Sequence, residues 1–369
     1  MSDSLNTAMI ATDSALTLPE QIRALSEQLG FADIRFSPAQ ANQHLENYQR
    51  WIDAGFNGTM AWMERNIDKR FDAGELHPGT KTVITVRMDY HPNCENDFDI
   101  LNNPSKGYIA RYALGRDYHK VMRKRLTLLG KAIEELAGTH GYRAFVDSAP
   151  VMERQLAEQS GLGWIGKNTL LLVPGVGSWF FLGELMTDLD LPFDPPLPKN
   201  HCGTCNQCLV DCPTDAFVSE GVLDARKCIS YLTIEYAGSI PMDLRAKIGN
   251  RIYGCDDCQL VCPHNNKAPE TQEPDYGSRH NLDDLDLLEA FQWTEEVFLK
   301  KTEGSAIRRI GYEQWQRNIA IALGNGQLST QVTDALTKQK GLVSELVDEH
   351  IDWALSQLKV NHLGQPATK

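Results

Sequence analysis

Apolar residues recur at three- and four-residue steps in several stretches of the chain, and helices are predicted there. In TLPEQIRALSEQLG the stripe is Ile22, Leu25 and Leu29; Thr17 and Glu20 fit a capping box, Pro19 suits the first turn and Gly30 the stop. QHLENYQRWIDAG places Leu45, Tyr48 and Ile52 on one side of a second helix. The longest pattern covers 117–138, with Met122, Leu126, Leu129, Ile133 and Leu136. Other stretches are rich in β-branched and aromatic residues and read as strands. They are FADIRF, TVITVRMDY at 82–90, YRAFVD ending at Asp147, and TLLLV and SWFFLGELMTDL joined by the turn PGVG. Residues 1–190 thus read as one α/β domain. Four prolines in LPFDPPLPKN, 191–200, mark a stiff linker and a boundary. From 284 onward DLDLLEAFQWTEEVFLKK, EQWQRNIAIALGN, TQVTDALTKQ and ELVDEHIDWALSQL are amphipathic blocks, enough for two stacked helical pairs.

Composition narrows the class. The chain has 369 residues, 42% hydrophobic and 23% charged, as expected of a soluble protein of two or three domains. No apolar run approaches the ~20 residues of a membrane helix. The first twenty residues hold no Lys or Arg, unlike a secretory signal, and the only Arg pair is Arg308–Arg309. A cytoplasmic location is expected, and nine cysteines there suggest metal rather than disulfides. The net charge of −13 argues against general affinity for nucleic acid. The charge is uneven, however: eight Lys/Arg against three Asp/Glu from Arg111 to Arg143, and five against two from Lys300 to Arg317. A solvated helix face explains either patch alone, but local basic patches also let an acidic protein bind a structured RNA.

The cysteines carry the clearest chemistry. Cys202, Cys205, Cys208 and Cys212, followed by Pro213, follow the spacing of a bacterial two-cluster ferredoxin. A second run, Cys255, Cys258, Cys262 and Pro263, lacks one early cysteine, and Cys228 fills that place. In this pattern the last cysteine of each run serves the other cluster. Cluster one is therefore assigned to Cys202, Cys205, Cys208 and Cys262, and cluster two to Cys212, Cys228, Cys255 and Cys258. Structural zinc uses pairs of CxxC instead. The ninth cysteine, Cys94, reads as an ordinary loop thiol.

A ferredoxin alone is far shorter, so electrons are expected to reach a centre in the α/β domain. That domain has no GxGxxG after a strand and no GxxxxGK[ST]. GLGWIGKN, 161–168, reads as a tight helix-to-strand turn. Asp117 and His119 are spaced like a cobalamin-ligating DxHxxG motif, but Met122 stands where glycine is needed. Asp147 is the strongest catalytic candidate. At the end of a strand it would face a ligand crevice, and partial burial would raise its pKa enough to donate a proton. An N-cap for a helix at 151–160 is an equal reading of the same residue.

GYIARYALGRDYHKVMRKRL, VDSAPVMERQLAEQSGLGWIGKNTLL, GSWFFLGELMTDL, HCGTCNQCLVDCPTDAF, CISYLTIEYAG, IGNRIYGCDDCQLVCPHN and QRNIAIALGN together resemble the epoxyqueuosine reductase family, over roughly 20–325. The resemblance implies an α+β multidomain protein. Its parts would be an α/β cobalamin-binding domain like that of reductive dehalogenases (1–190), the linker (191–200), a ferredoxin-like module with two 4Fe–4S clusters (201–266) and HEAT-like helices (284–369). It implies reduction of epoxyqueuosine to queuosine at the wobble base of a tRNA anticodon, with Asp147 as proton donor and base-off cobalamin. Corrin contacts are expected from Arg70, Ala110, Arg111, Asp147, Lys167, Asn168, Leu171 and Leu182, and contacts to the tRNA stem-loop from Tyr236, Lys300, Arg308 and Arg309. An external electron donor and a monomer with no membrane contact complete the expectation. A reductive dehalogenase acting on a small organohalide is the alternative enzyme, and a two-cluster electron carrier the alternative without catalysis.

Overall fold

The computed structural model describes residues 15–92, 97–198 and 200–364; Cys94 lies outside them. Helix α1 (Leu18–Gln28) starts where its capping box closes: the Thr17 N–H and hydroxyl both donate to Glu20, at 2.8 and 2.7 Å. Gly30, at φ +82°, reverses the chain into β1 (Asp33–Pro38). There follow α2 (Leu45–Asp53), the short α3 (Ile67–Phe71) and α4 (Ala73–Leu76), β2 (Thr82–Asp89), α5 (Asp97–Asn102), β3 (Tyr108–Ile109) and α6 (Tyr118–Ala137). Then come β4 (Tyr142–Phe145), α7 (Glu153–Gln159), β5 (Trp164–Ile165), β6 (Leu171–Leu172) and β7 (Phe180–Thr187).

The main sheet has the order β1-β2-β7-β4, and every neighbouring pair is antiparallel. The carboxyl edge of a parallel sheet, expected to place Asp147, is therefore not present in it. Both faces are covered, which is why the central strands lack an apolar–polar alternation. One face, with Ile34, Phe36, Ile84, Val86, Met88 and Leu185, packs on α1 and α6 through Ile22, Leu25, Met122, Leu126, Leu129 and Ile133. The other face, with Val83, Phe145 and Met186, packs on Met152, Leu156 and Phe71. TLLLV and SWFFLGELMTDL do not form a hairpin: β6 pairs with β5, and PGVG closes only the bridge from Val173 to Gly177. Leu45 does not join its expected stripe. It is 38% exposed, whereas Tyr48 is buried.

The cysteine-rich segment carries α8 (Gln207–Val210), β8 (Phe217–Ser219), β9 (Val222–Leu223), α9 (Ile229–Ile234), α10 (Met242–Ile248), β10 (Arg251–Tyr253) and α11 (Asp257–Leu260). Strand β10 pairs in parallel with β3, so this segment is joined to the first one by backbone hydrogen bonds. The C-terminal helices are α12 (Leu287–Phe291), α13 (Glu295–Lys301), α14 (Gly311–Gly324), α15 (Thr330–Gln339) and α16 (Glu345–Gly364). The block expected as one helix from 284 breaks at Thr294, whose hydroxyl caps α13 through Val297 N–H. These helices share a core with Ile109, Ala113, Leu114, Ile252 and Tyr253. The proline-rich linker thus separates stretches of sequence but not hydrophobic cores.

Helix α14 is buried from Gln314 through Gly324. Arg317, expected in the second basic patch, is 0% exposed. It donates to the carbonyls of Tyr236, Gly238 and Leu232 at 2.6, 2.9 and 2.8 Å and to Asn318 Oδ1. Asn318 in turn donates to the carbonyls of Thr233 and Ile252, both at 2.9 Å. This pair fastens α14 to the backbones of α9 and β10, the two elements that carry Cys228 and lead into Cys255.

Candidate active site and cysteine cages

Asp147 lies two residues beyond β4, in a turn where its own φ is +48°. It is not the cap of α7, whose N-cap is Met152 without a side-chain hydrogen bond. Nor is it buried. Its side chain is 55% exposed, so the partial burial expected of it is not there. Burial falls on the groups around it. The Tyr118 hydroxyl donates to Asp147 Oδ2, and the Tyr118 ring is clamped between Phe181, stacked at 4.0 Å, and His119 at 4.1 Å. Burial, then the Asp147 charge, holds the Tyr118 phenol well above its ordinary pKa, so it remains a donor. His119 Nε2 stands 3.7 Å from Asp147 Oδ2, while its Nδ1 lies 2.8 Å from Asp117 Oδ1. Asp117, the near miss for a cobalamin motif, caps α6 by accepting the His119 N–H at 3.1 Å. The Asp147 N–H donates to Glu153 Oε1 at 2.6 Å. An exposed carboxyl held by a phenol on one side and an imidazole on the other can present a proton to a ligand in the crevice.

A groove runs past this turn, lined by Asp117, His119, Lys120, Arg123, Lys124, Thr127 and Ser148. The first basic patch therefore divides. Lys120, Arg123 and Lys124 line the groove, whereas Arg111 and Arg125 are withdrawn into pairs with Asp97 and Glu273. In the second patch Lys300 and Arg308 are exposed, and Arg309 pairs with Glu235. Tyr236, next along, stacks on Tyr231 at 5.9 Å.

None of the eight described cysteines is in a disulfide. Cys202, Cys205, Cys208 and Cys262 line one small cavity, together with Lys167, Asn168 and Leu172. Burial, then Cys262, Cys202 and Cys205, pushes the Cys208 thiol up to about 11. Burial, then Cys228, Asp256, Cys208 and Cys212, holds the Cys258 thiol well up, and burial, then Asp257, with a smaller push from Cys228, does the same to Cys255. Converging thiols that hold each other's protons release them when iron binds. Among the described residues no three His, Cys, Asp or Glu side chains are arranged for a single metal ion. Four cysteines lining one cavity are the donor set that a cubane of iron and sulfide takes. N–H groups already point at sulfur: Trp164 Nε1 at Cys202 Sγ, 3.4 Å, and Ala216 N at Cys212 Sγ, 3.3 Å. Such bonds stabilise thiolate and tune a cluster's potential.

A chain of aromatic rings joins the two features. Tyr118 meets Tyr112 at 6.2 Å, and Tyr112 meets Tyr253 at 6.1 Å, two residues before Cys255. Of the expected corrin contacts, Lys167 and Asn168 stand at the cages, with Asn168 Nδ2 donating to the Cys258 carbonyl at 3.3 Å. Leu171 and Leu182 share a small apolar cluster with Phe180. Ala110 and Arg111 lie beside β10, where the Arg111 N–H donates to Asp256 at 2.7 Å. Arg70 sits apart on α3, donating to the Trp62 carbonyl at 2.9 Å, with a buried Nε that has no hydrogen-bond partner. A flat ring rimmed with amides needs an apolar wall, and the Leu171–Leu182 cluster fits that need. Sequence reasoning missed Tyr118, Glu153 and Trp164. Only Tyr118 had a local signal, its place beside the capping Asp117.

Residues 70–148 match the family model described as Epoxyqueuosine reductase QueG, DUF1730, and residues 201–265 match the 4Fe-4S double cluster binding domain. The epoxyqueuosine reductase of Pseudomonas aeruginosa is 52% identical over 338 residues, 92% of this chain and 94% of the relative. That of Escherichia coli is 48% identical over 340 residues, 92% and 89% of the two chains. A crystal structure of an epoxyqueuosine reductase with an epoxyqueuosine-modified tRNA-Tyr stem loop superposes with a TM-score of 0.84 at 28% identity, covering 92% of this chain and 90% of that one. A Bacillus subtilis epoxyqueuosine reductase, solved with its catalytic aspartate loop swung out of the active site, gives 0.84 at 27% identity with the same coverage.

Proposed function

The chain belongs to the epoxyqueuosine reductase family, and on that premise we propose that it reduces epoxyqueuosine to queuosine at the wobble position of a tRNA anticodon. The observation that carries this reading is the placement of Asp147, exposed in the crevice and connected through Tyr118, Tyr112 and Tyr253 to the cysteine cages.

The reaction removes the epoxide oxygen as water and leaves a carbon–carbon double bond, which takes two electrons and two protons. Two 4Fe–4S clusters and cobalamin, the cofactors of the family, supply the electrons one at a time when bound. Cys202, Cys205, Cys208 and Cys262 would hold one cluster, and Cys212, Cys228, Cys255 and Cys258 the other. Asp147 gives its proton to the departing oxygen, because an alkoxide is a poor leaving group where water is excluded. Tyr118 fixes the rotamer of that carboxyl by donating to Oδ2, and His119 provides a second polar wall. The left-handed turn at Asp147 gives the loop a conformation it can leave, in keeping with the swung-out loop of the B. subtilis relative.

The substrate arrives on a polyanion. Lys120, Arg123 and Lys124 in the groove, together with Lys300, Arg308, Arg309 and Tyr236, would take up the backbone of the stem-loop. The helices from α12 to α16 are read as a HEAT-like support for those contacts. Cys205 is exposed and offers the approach for an external one-electron donor, with the protein acting as a monomer. No helix among the described residues is long and apolar enough to cross a membrane. Anaerobic reconstitution with iron, sulfide and cobalamin, followed by nucleoside analysis of treated tRNA, tests the reading. Conversion of epoxyqueuosine to queuosine is expected, and unaltered epoxyqueuosine would sink it.

A further inference from the structure

Strand β7 carries a carboxyl where a core side chain belongs. Glu184 lies mid-strand, opposite Thr85 on β2 and Phe145 on β4, and is 0% exposed. Neither of its oxygens nor the Thr85 hydroxyl has a hydrogen bond of normal geometry. Its strongest ionisable neighbour is Glu153, the residue that accepts the Asp147 N–H. Other charged and titratable groups surround the two: Asp147 and Tyr118 towards the crevice, Arg154 on α7, and Arg35, Arg143 and the Arg87–Asp89 pair on the same sheet face. These arginines are engaged elsewhere: Arg35 with Asp33, Arg143 over the Phe145 ring, Arg154 with the Thr169 carbonyl.

Glu184 is buried and Glu153 partly so, and two neighbouring carboxyls with so little water around them disfavour a second charge. Burial, then the Asp147 charge, pushes Glu153 up to about 8, and burial, then Glu153, holds Glu184 well above the usual carboxylate range. At neutral pH protons therefore stay on this pair, directly behind the Asp147 turn. Leucine at 184 would fill the strand without burying an unpartnered polar group, which costs about 1–3 kcal/mol. Packing does not explain an acid there.

The stoichiometry supplies a use. Both carbon–oxygen bonds of the epoxide break, a carbon–carbon double bond forms, and the oxygen leaves with two protons. The two electrons enter through the cysteine cages from an external one-electron donor. Asp147 carries one proton per visit, and a tRNA stem over the crevice shuts out bulk water. We propose that Glu153 and Glu184 form a proton store that recharges Asp147 within one catalytic cycle, so that both protons of the product water pass through the same carboxylate. The link is the Asp147 turn itself: the Tyr118 hydroxyl is bonded to its carboxyl, and Glu153 accepts its backbone N–H at 2.6 Å. The pair, left with one negative charge, regains its proton from solvent through Asp147 once the product departs. Glu153 and Glu184 touch no substrate and act only through Asp147.

This inference rests on the function proposed above, and its test separates the two. Glu184→Gln and Glu153→Gln keep side-chain volume and remove the exchangeable proton. Infrared spectra of the reconstituted protein at neutral pH should show a protonated-carboxyl C=O band that Glu184→Gln diminishes. In multiple turnover both variants should lose about 10- to 100-fold in kcat with KM for tRNA unchanged. Should one variant not fold, the other carries both readouts. Absence of the band in wild-type protein, or wild-type kcat in either variant, overturns the proposal while leaving the reductase reading intact. If wild-type protein leaves epoxyqueuosine unreduced, that reading falls and takes the proposal with it, whatever the band shows.

Discussion

Replacing Arg317 with methionine removes five hydrogen bonds at the junction of α14, α9 and β10. Three backbone carbonyls, those of Leu232, Tyr236 and Gly238, are stranded in a buried place. Each stranded acceptor costs about 1–3 kcal/mol, and the bonds lost were charge-assisted. Part of that is recovered, because methionine needs no desolvation of a guanidinium. Burial lowers Arg317 to about 10, so it is still charged at neutral pH. The net loss should be about 3–4 kcal/mol, against a total of about 5–15 kcal/mol for a typical protein. The damage should be local: Cys228 opens α9 and Cys255 follows β10, so the second cage loosens while the first does not touch the clamp. Anaerobic denaturation of the reconstituted protein gives the stability, and iron content with electron paramagnetic resonance gives the clusters. The second cluster should be lost preferentially. Arg308→Ala, on the surface nearby, serves as the control and should stay within about 0.5 kcal/mol. A wild-type midpoint, or equal loss of both clusters, would refute the clamp.

Asp147→Asn should retain iron and cobalamin yet lose about 100-fold or more in turnover of epoxyqueuosine tRNA; near-normal turnover would remove Asp147 from the proton step. Arg308→Ala with Arg309→Ala should weaken tRNA binding and flatten its dependence on salt by about 0.7–1 per phosphate contact, as read from binding isotherms at several ionic strengths. His350 is buried and neutral: it accepts the Ile240 N–H at 3.2 Å and its Nδ1 lies 2.7 Å from the Leu346 carbonyl. Burial lowers it from 6.5 to about 4, so its unfolded form takes up a proton first. Its contribution is whole above about pH 6.5 and is lost as pH falls towards 4, by about 3 kcal/mol. His350→Gln should flatten that part of a stability–pH curve, and parallel curves would exclude the assignment.

Much of the local structure was legible because its causes are local. Thr17 and Glu20 close the box that starts α1, and the stripe from Met122 to Ile133 faces the sheet as its spacing requires. Cys202, Cys205, Cys208 and Cys262, grouped from their spacing, line one cavity. The sheet order was not legible. Strand β7 is buried along nearly its whole length and β4 is a short edge strand, so nothing in YRAFVD or SWFFLGELMTDL tells that they pair antiparallel. Arg317 looked like surface charge because its partners are backbone carbonyls, which no residue type announces. Asp147 was singled out for a burial it does not have: the buried carboxyl is Glu184, placed by pairing between distant strands, with Glu153 partly buried beside the Asp147 turn.

The parallel ladder between β3 and β10 imposes an order on assembly. As the first 190 residues emerge from the ribosome, β3 has no partner, and Ile109, Ala113 and Leu114 have no helices to cover them. Their partners lie as far on as Leu358, so at ~5–20 residues per second the exposure lasts roughly ten seconds to a minute. All eight clustered cysteines are made within that interval, before α14 can seat on α9 and β10 through Arg317 and Asn318. The time in which the nascent chain is most open to iron is therefore also the time in which it is most open to aggregation and oxidation. Delivery of clusters and chaperoning of β3 become a single problem for the cell that makes this protein.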